Sequence, residues 1–181
     1  MEYFDIIKMI VLLVLLVIWA FMYSLSLFNN IRYIVPQVST FKSDFEVLRK
    51  GLAKYDLKWK KIIDLGSWIW KWIRFFEREF GMKATWCEID LSNTLIAKFL
   101  NKIFSSKSKV IKWNYFKVDL KKYDFIYVYL FPELMEKVEE KIWSDSKKWT
   151  IIFVNAFKFN KHKPIDIFYK NGKEKIFVYE V

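Results

Sequence analysis

The sequence predicts an α/β fold: a mostly parallel sheet with helices on both faces, its last strand antiparallel in a C-terminal hairpin, preceded by one transmembrane helix. Three observations predict it. Between Lys61 and Asn155, short β-branched and aromatic runs alternate with runs of helical period, the pattern of parallel strands joined by crossover helices. Two strand-like runs, Ile165 to Tyr169 and Lys175 to Tyr179, flank Asn171-Gly172, a dipeptide suited to the tight turn of a hairpin. From Met9 to Phe28, twenty residues carry no charge; as a helix they span about 30 Å, the thickness of a bilayer core.

The elements follow in order. Residues 1–30 form the anchor. The uncharged run is too long for the apolar region of a signal peptide, and Leu25-Ser26-Leu27-Phe28 offers no small-x-small cleavage site. Lys8 with Glu2 and Asp5 precedes it, while Arg32, Lys42, Arg49 and Lys50 follow. The positive-inside rule therefore places the C-terminal part in the cytoplasm, a single-pass arrangement. Residues 31–60 form a linker and lead-in helix: Ser43-Asp44-Phe45-Glu46 reads as a capping box, opening a helix to about Tyr55.

From 61 to 181 runs the main domain. Strands are expected at Lys61 to Leu65, Lys83 to Ile89, Val110 to Lys112, Asp124 to Leu130 and Thr150 to Asn155. Between them lie helices at Lys71 to Phe80, closed by Gly81; at Ser92 to Phe104; and from Pro132 to Trp143, with proline in the first turn. The hairpin ends the chain.

Composition removes several classes of function. With one cysteine and one histidine, the chain alone makes no disulfide, no Cys/His zinc cluster and no Ser-His-Asp triad, and no metal is expected. Cys87 lies in an apolar run and reads as a buried structural thiol; His162, between two lysines, reads as a solvated loop residue. The formal net charge is +11, and the excess lies beyond the anchor, which favours anionic surfaces. Nine tryptophans accompany only four glycines, an inversion of ordinary usage.

The turn after the first strand carries Asp64-Leu65-Gly66-Ser67-Trp68-Ile69-Trp70. With glycine at 68 and 70, this segment resembles the S-adenosylmethionine (SAM) loop of class I methyltransferases. The whole pattern then resembles their Rossmann-like sheet, because a dinucleotide-binding domain continues with parallel strands where this chain ends in a hairpin. The resemblance implies SAM as cofactor. It implies that Gly66, Ser67 and positions 68 and 70 touch it with main chain, and that Asp64 lies beside its amino-acid end. Glu88, 24 residues after Asp64, then accepts the ribose hydroxyls. Asn114 replaces the family's aspartate, so its bond to the adenine amino group must use the amide oxygen.

Trp68 would fill cofactor space, and it is not alone. Trp70, Trp86, Trp113, Trp149 and Trp59 also stand where the family or a turn has glycine. Chance replacement does not choose the bulkiest side chain for the tightest sites repeatedly. Some genetic codes read UGA as glycine and others as tryptophan; a gene of the first kind decoded under the second gives this chain. The rival account is a decayed enzyme whose SAM pocket is blocked by indoles.

Further segments narrow the resemblance. The anchor, Tyr33-Ile34-Val35-Pro36, Asn114 to Leu120 and Tyr129-Leu130-Phe131-Pro132-Glu133 are similar to the membrane-anchored lysine methyltransferases of the ATP synthase c subunit and their bacterial relatives. That kinship implies a membrane-protein substrate presenting a lysine. The fourth strand agrees: Leu130-Phe131-Pro132 lacks the polar head with which Asp/Asn-Pro-Pro-aromatic enzymes hold a planar nitrogen. An aliphatic amine needs mainly desolvation and alignment. Tyr129, Leu130, Phe131 and Pro132 are candidates for its channel, and no catalytic base is assigned. Nucleic acid is not expected as partner. The alternatives are an RNA methyltransferase, suggested by basicity and aromatics, and a non-catalytic membrane-bound module.

Overall fold

Central strands that are apolar on both sides need cover on both sides, and the chain supplies it. The computed structural model describes residues 3–33, 42–66 and 71–181, with main chain alone at 22, 25–33, 42, 43 and 71. The helices are α1 (Tyr3–Tyr33), α2 (Lys42–Leu52), α3 (Lys71–Phe80), α4 (Leu91–Ile103) and α5 (Pro132–Asp145). The strands are β1 (Lys61–Leu65), β2 (Lys83–Glu88), β3 (Lys109–Lys112), β4 (Phe125–Val128), β5 (Ile151–Asn155), β6 (Asp166–Lys170) and β7 (Lys173–Glu180).

The seven strands form one sheet in the order β3-β2-β1-β4-β5-β7-β6. Pairing is parallel from β3 to β5, and β7 lies antiparallel between β5 and β6. The expected fold class is thus observed, including the hairpin around Asn171 and Gly172, both at positive φ. On one face α2 and α3 cover Ile62, Ala84, Tyr127 and Phe153 with Leu48, Leu52, Ile73 and Phe76. On the other, Met135, Val138 and Ile142 of α5 cover Ile63, Ile126, Val128 and Ile152.

Several expectations need adjustment. Helix α2 begins at Lys42, so Ser43 lies inside its first turn and not at the cap, and it ends at Leu52, with a turn closed by Tyr55 N–H on Leu52 O, 3.0 Å. Strand β4 stops at Val128 because Leu130 leaves the ladder for the base of α5. His162 is no free loop residue. Its ring stacks on Trp143 at 3.7 Å, and its Nδ1 lies 2.8 Å from Glu139 Oε1. Glu139 is buried and also accepts the main-chain N–H groups of Asn160, Lys161 and His162. Cys87 is the buried thiol expected; it donates to Trp113 O, and burial pushes it up to about 12.

Helix α3 closes at Gly81 (φ +64), whose N–H donates to Glu77 O, as expected of a left-handed C-terminal glycine. Two tryptophans share that backbone: Trp59 has φ 65 and Trp149 φ 69. Their side chains are 67% and 76% exposed, so no burial compensates the strain, roughly 1–2 kcal/mol for a residue bearing Cβ. Trp86 and Trp113 have ordinary φ. Trp86 is buried, its indole N–H without a partner among the described residues, and Trp113 is exposed. Helix α1 is long and apolar enough to cross a membrane: Tyr3–Phe21 has mean hydropathy 2.6, and none of it is buried.

Candidate functional site

The site is built where β1, β2 and β4 end together. Register pairs Leu65 with Cys87 and with Val128, so the chain leaves all three strands at one level. Gly66 makes the first step out of the sheet. Its N–H donates to Cys87 O (3.2 Å), its φ is +85, and a Cβ there would stand 2.6 Å from Leu130 Cδ2. Only glycine satisfies both conditions. Ser67, Trp68 and Trp70, the rest of the expected loop, lie outside the described residues.

Strand period places Asp64, Trp86 and Tyr127 in one lateral row, since Asp64 pairs with both neighbours. Asp64 is buried. Tyr127, fully enclosed, has its phenol pushed well up by burial and then by the Asp64 charge, and accepts from Asn155 Nδ2 at 2.8 Å. One step along, on the same face, come Glu88 and Asn155, the last residues of β2 and β5.

Glu88 is the most informative group. It is buried, and Oε1 accepts the N–H groups of Ile89 (2.9 Å) and Asp90 (3.0 Å). Oε2 has no partner among the described residues. Burial raises this carboxyl to about 7, against the pull of those two amides and of Asn93. A buried carboxylate oxygen without a donor is costly unless something else supplies one. Asp90 caps α4, accepting from Asn93 N–H (2.9 Å) through Oδ1, while Oδ2 is likewise unpartnered among the described residues.

Asn114 follows β3, half-buried, and caps a short 3-10 turn through Phe116 N–H (2.9 Å) on its Oδ1. Its oxygen therefore keeps one lone pair and its amide two donors. Trp113 N–H donates to Glu88 O at 3.0 Å, which ties this corner to the end of β2. Beside it Tyr115 has its hydroxyl raised to about 12 by burial.

The four channel residues divide. Tyr129 packs on the α2 and α3 side, with Lys175 Nζ 5.8 Å from its ring centre. Leu130 is buried under Gly66 on the α5 side, Phe131 caps α5 and Pro132 opens it. Sequence reasoning missed Asp44, which α2 brings, buried, to within 2.7 Å of Lys170 Nζ and 3.7 Å of Lys175 Nζ. It also missed Tyr127 and Asn155. Only Asp90 had a local signal, an acid directly before a helical run.

No family model matches the chain, and no curated protein matches it. Solved structures do. An RNA methyltransferase from Salinibacter ruber, in complex with S-adenosyl-L-homocysteine, is similar over 79% of this chain and 93% of its own, with 18% identity and TM-score 0.70. A methyltransferase from Pyrococcus furiosus is similar over 86% and 95%, with 14% identity and TM-score 0.60. The likeness establishes the fold as the Rossmann-like sheet of these methyltransferases.

Proposed function

We propose that the chain is a SAM-dependent methyltransferase, held in a membrane by α1 with its domain in the cytoplasm, that methylates the amine of a lysine on a membrane protein. The observation that carries the reading is Glu88: a buried carboxylate at the end of β2, beside the Gly66 turn, with Oε2 awaiting a donor. A ribose supplies two hydroxyl donors, which suits it. The residues present fit the rest of the group as well. Gly66 clears the turn, Asp64 would hold the cationic amino-acid end, and Asn114 retains hydrogen-bonding capacity for an adenine edge. Bound there, SAM supplies an electrophilic methyl group.

The chain's own residues then orient and dry the site. Tyr129 and the buried apolar residues around Gly66 keep water from an incoming amine, which lowers its pKa and exposes its lone pair. The backbone at Trp59 and Trp149 supports glycine at those two positions; at 68, 70, 86 and 113 the same reading rests on the resemblance, and Trp86, buried on ordinary strand backbone, speaks against it there. UGG codons at these positions would end that reading. The activity is tested by isothermal titration of SAM into the chain carrying glycine at 59, 68, 70, 86, 113 and 149: binding is expected, and absence of heat favours a non-catalytic module.

A second reading, RNA methylation, is favoured by one observation. A cleft of about 680 Å³ at the starts of β1, β2 and β3 is lined by Lys61, Arg78, Lys83, Lys107, Lys109 and Lys122. RNA affinity that falls steeply with salt, together with methyl transfer to RNA in place of a protein lysine, would establish it.

A further inference from the structure

Helix α4 turns an apolar stripe outward. Leu91, Leu95, Phe99 and Ile103 are all exposed and recur every fourth residue, with Ile96 and Phe104 beside them. Its inward side is small and polar, with Ser92, Thr94 and Ala97 buried. This inverts the usual economy of a surface helix, which shows charge to water and hides its leucines. Helix α1 packs against α4, yet the stripe stays exposed with α1 in place. The open stripe therefore lies on the helix that α1 contacts.

Charge says what the stripe faces. Lys98 and Lys102 border it along the helix. At its C-terminal end the Arg74 guanidinium lies 3.9 Å from the Phe104 ring centre, and Arg78 donates to Phe104 O at 3.0 Å. The chain then continues through Lys107 and Lys109 into the basic cleft. Of the acids at its two ends, Glu77 is engaged by Ser106 Oγ and Lys107 N–H, and Asp90 is buried as the helix cap. A broad apolar face rimmed by cations fits the interface of an anionic bilayer, with leucine and phenylalanine among the acyl chains and lysine at the phosphates. A second copy of the chain would instead set like charges face to face.

We infer that α4 is an interfacial membrane-docking helix, resting its Leu91-Leu95-Phe99-Ile103 face in an anionic leaflet next to α1. The inference rests on the proposed anchoring by α1. Docking at α4 fixes which side of the domain meets the bilayer. The β6–β7 hairpin, at the opposite edge of the sheet, is then directed away from it.

The test uses the full chain in vesicles of phosphatidylcholine and phosphatidylglycerol. Because Cys87 is buried and its thiol lies far above neutral, Phe99→Cys and, separately, Lys173→Cys in the hairpin take a bimane label selectively. Quenching by nitroxide-bearing phospholipid is compared with quenching by aqueous iodide, and alkaline carbonate extraction is run on the same vesicles. The expected result is lipid quenching several-fold stronger at 99 than at 173, with 99 shielded from iodide. Iodide quenching at 99 without lipid quenching, in protein that resists carbonate, overturns docking while leaving the anchor intact. Protein stripped by carbonate but lipid-quenched at 99 beforehand supports docking and refutes the span. A label at 99 shielded from both quenchers means a protein partner or a second copy, and overturns the inference.

Discussion

Trp72 and Trp149 are the same residue type in opposite situations. Trp72 stands in α3, 2% exposed, with ring centres 4.3 Å from Phe45 and 4.9 Å from Tyr127. It joins α2 and α3 to the centre of the sheet on helical backbone that any residue adopts. Trp149 stands in the turn before β5, with φ 69 and an indole 76% exposed. Its backbone asks for glycine, and its side chain contributes little packing. A tryptophan whose packing and dihedrals agree belongs to the fold, whereas one for which both disagree marks a position shaped for another residue.

The largest effect should come from the first of these. Trp72→Ala removes a fully enclosed indole from a cluster of rings and leaves a cavity that the sheet cannot collapse to fill, a cost of about 3–5 kcal/mol. Chemical denaturation of the detergent-solubilised chain, followed by far-UV circular dichroism, measures it. A loss under about 1 kcal/mol would place Trp72 with Trp149 and break the contrast, since burial of this size is worth more than that.

Next in size is Glu88, buried with one oxygen unpartnered among the described residues. Its native value of about 7 stands above the 4.5 of the free side chain. Between those values the native state holds a proton that the unfolded state has lost. Stability therefore falls as pH rises through that window, and the cost is complete above it. Glu88→Gln should raise stability at pH 8 by up to about 3 kcal/mol and leave it little changed at pH 4. The same variant should weaken SAM binding by roughly 10–100-fold, the worth of a hydrogen bond to a charged group. In the glycine-restored chain with Glu88 intact, SAM affinity should decline as pH falls below about 7. Thermal melts at the two pH values and titration of the glycine-restored chain check both halves. Opposite signs for stability and binding separate a ligand-binding carboxylate from a merely structural one.

Much of the fold was legible because its signals are local. Proline at the start of α5, Gly81 after α3, Asn171-Gly172 in the hairpin and the alternation of strand and helix all act within a few residues, and the structure places those elements at or near the residues they mark. The candidate site residues Asp64, Gly66, Glu88 and Asn114 came from the resemblance used as a template. Asp44 was not legible, because its partners Lys170 and Lys175 lie more than a hundred residues away in sequence. No spacing rule joins a helix to a hairpin across the sheet. The pairing of Asn155 with Tyr127 is hidden for the same reason: Asn155 ends one buried run and Tyr127 lies inside another, and both runs read as plain core. His162 misled because three lysines and a histidine in one loop suggest solvent, while Glu139, which gathers that loop, sits on a different element.

The smallest effect is the one that bears most directly on decoding. Trp149→Gly and Trp59→Gly each relieve about 1–2 kcal/mol of left-handed strain, and each returns part of it through the added freedom of glycine in the unfolded chain, about 0.5–1 kcal/mol. The main-chain bonds at these turns, Trp149 N–H to Val181 O and Trp59 N–H to Gly81 O, survive the change. The net expectation is neutrality to a gain of about 1 kcal/mol apiece, a rise of a few degrees in melting temperature for the pair. Replacing an aromatic residue by glycine ordinarily destabilises a protein, so even a null result here is informative. Should both variants lose stability as buried tryptophans do, the positive dihedrals are tolerated by design. The case for glycine at 59 and 149 would then fall, and the case at 68 and 70 would rest on the loop resemblance alone.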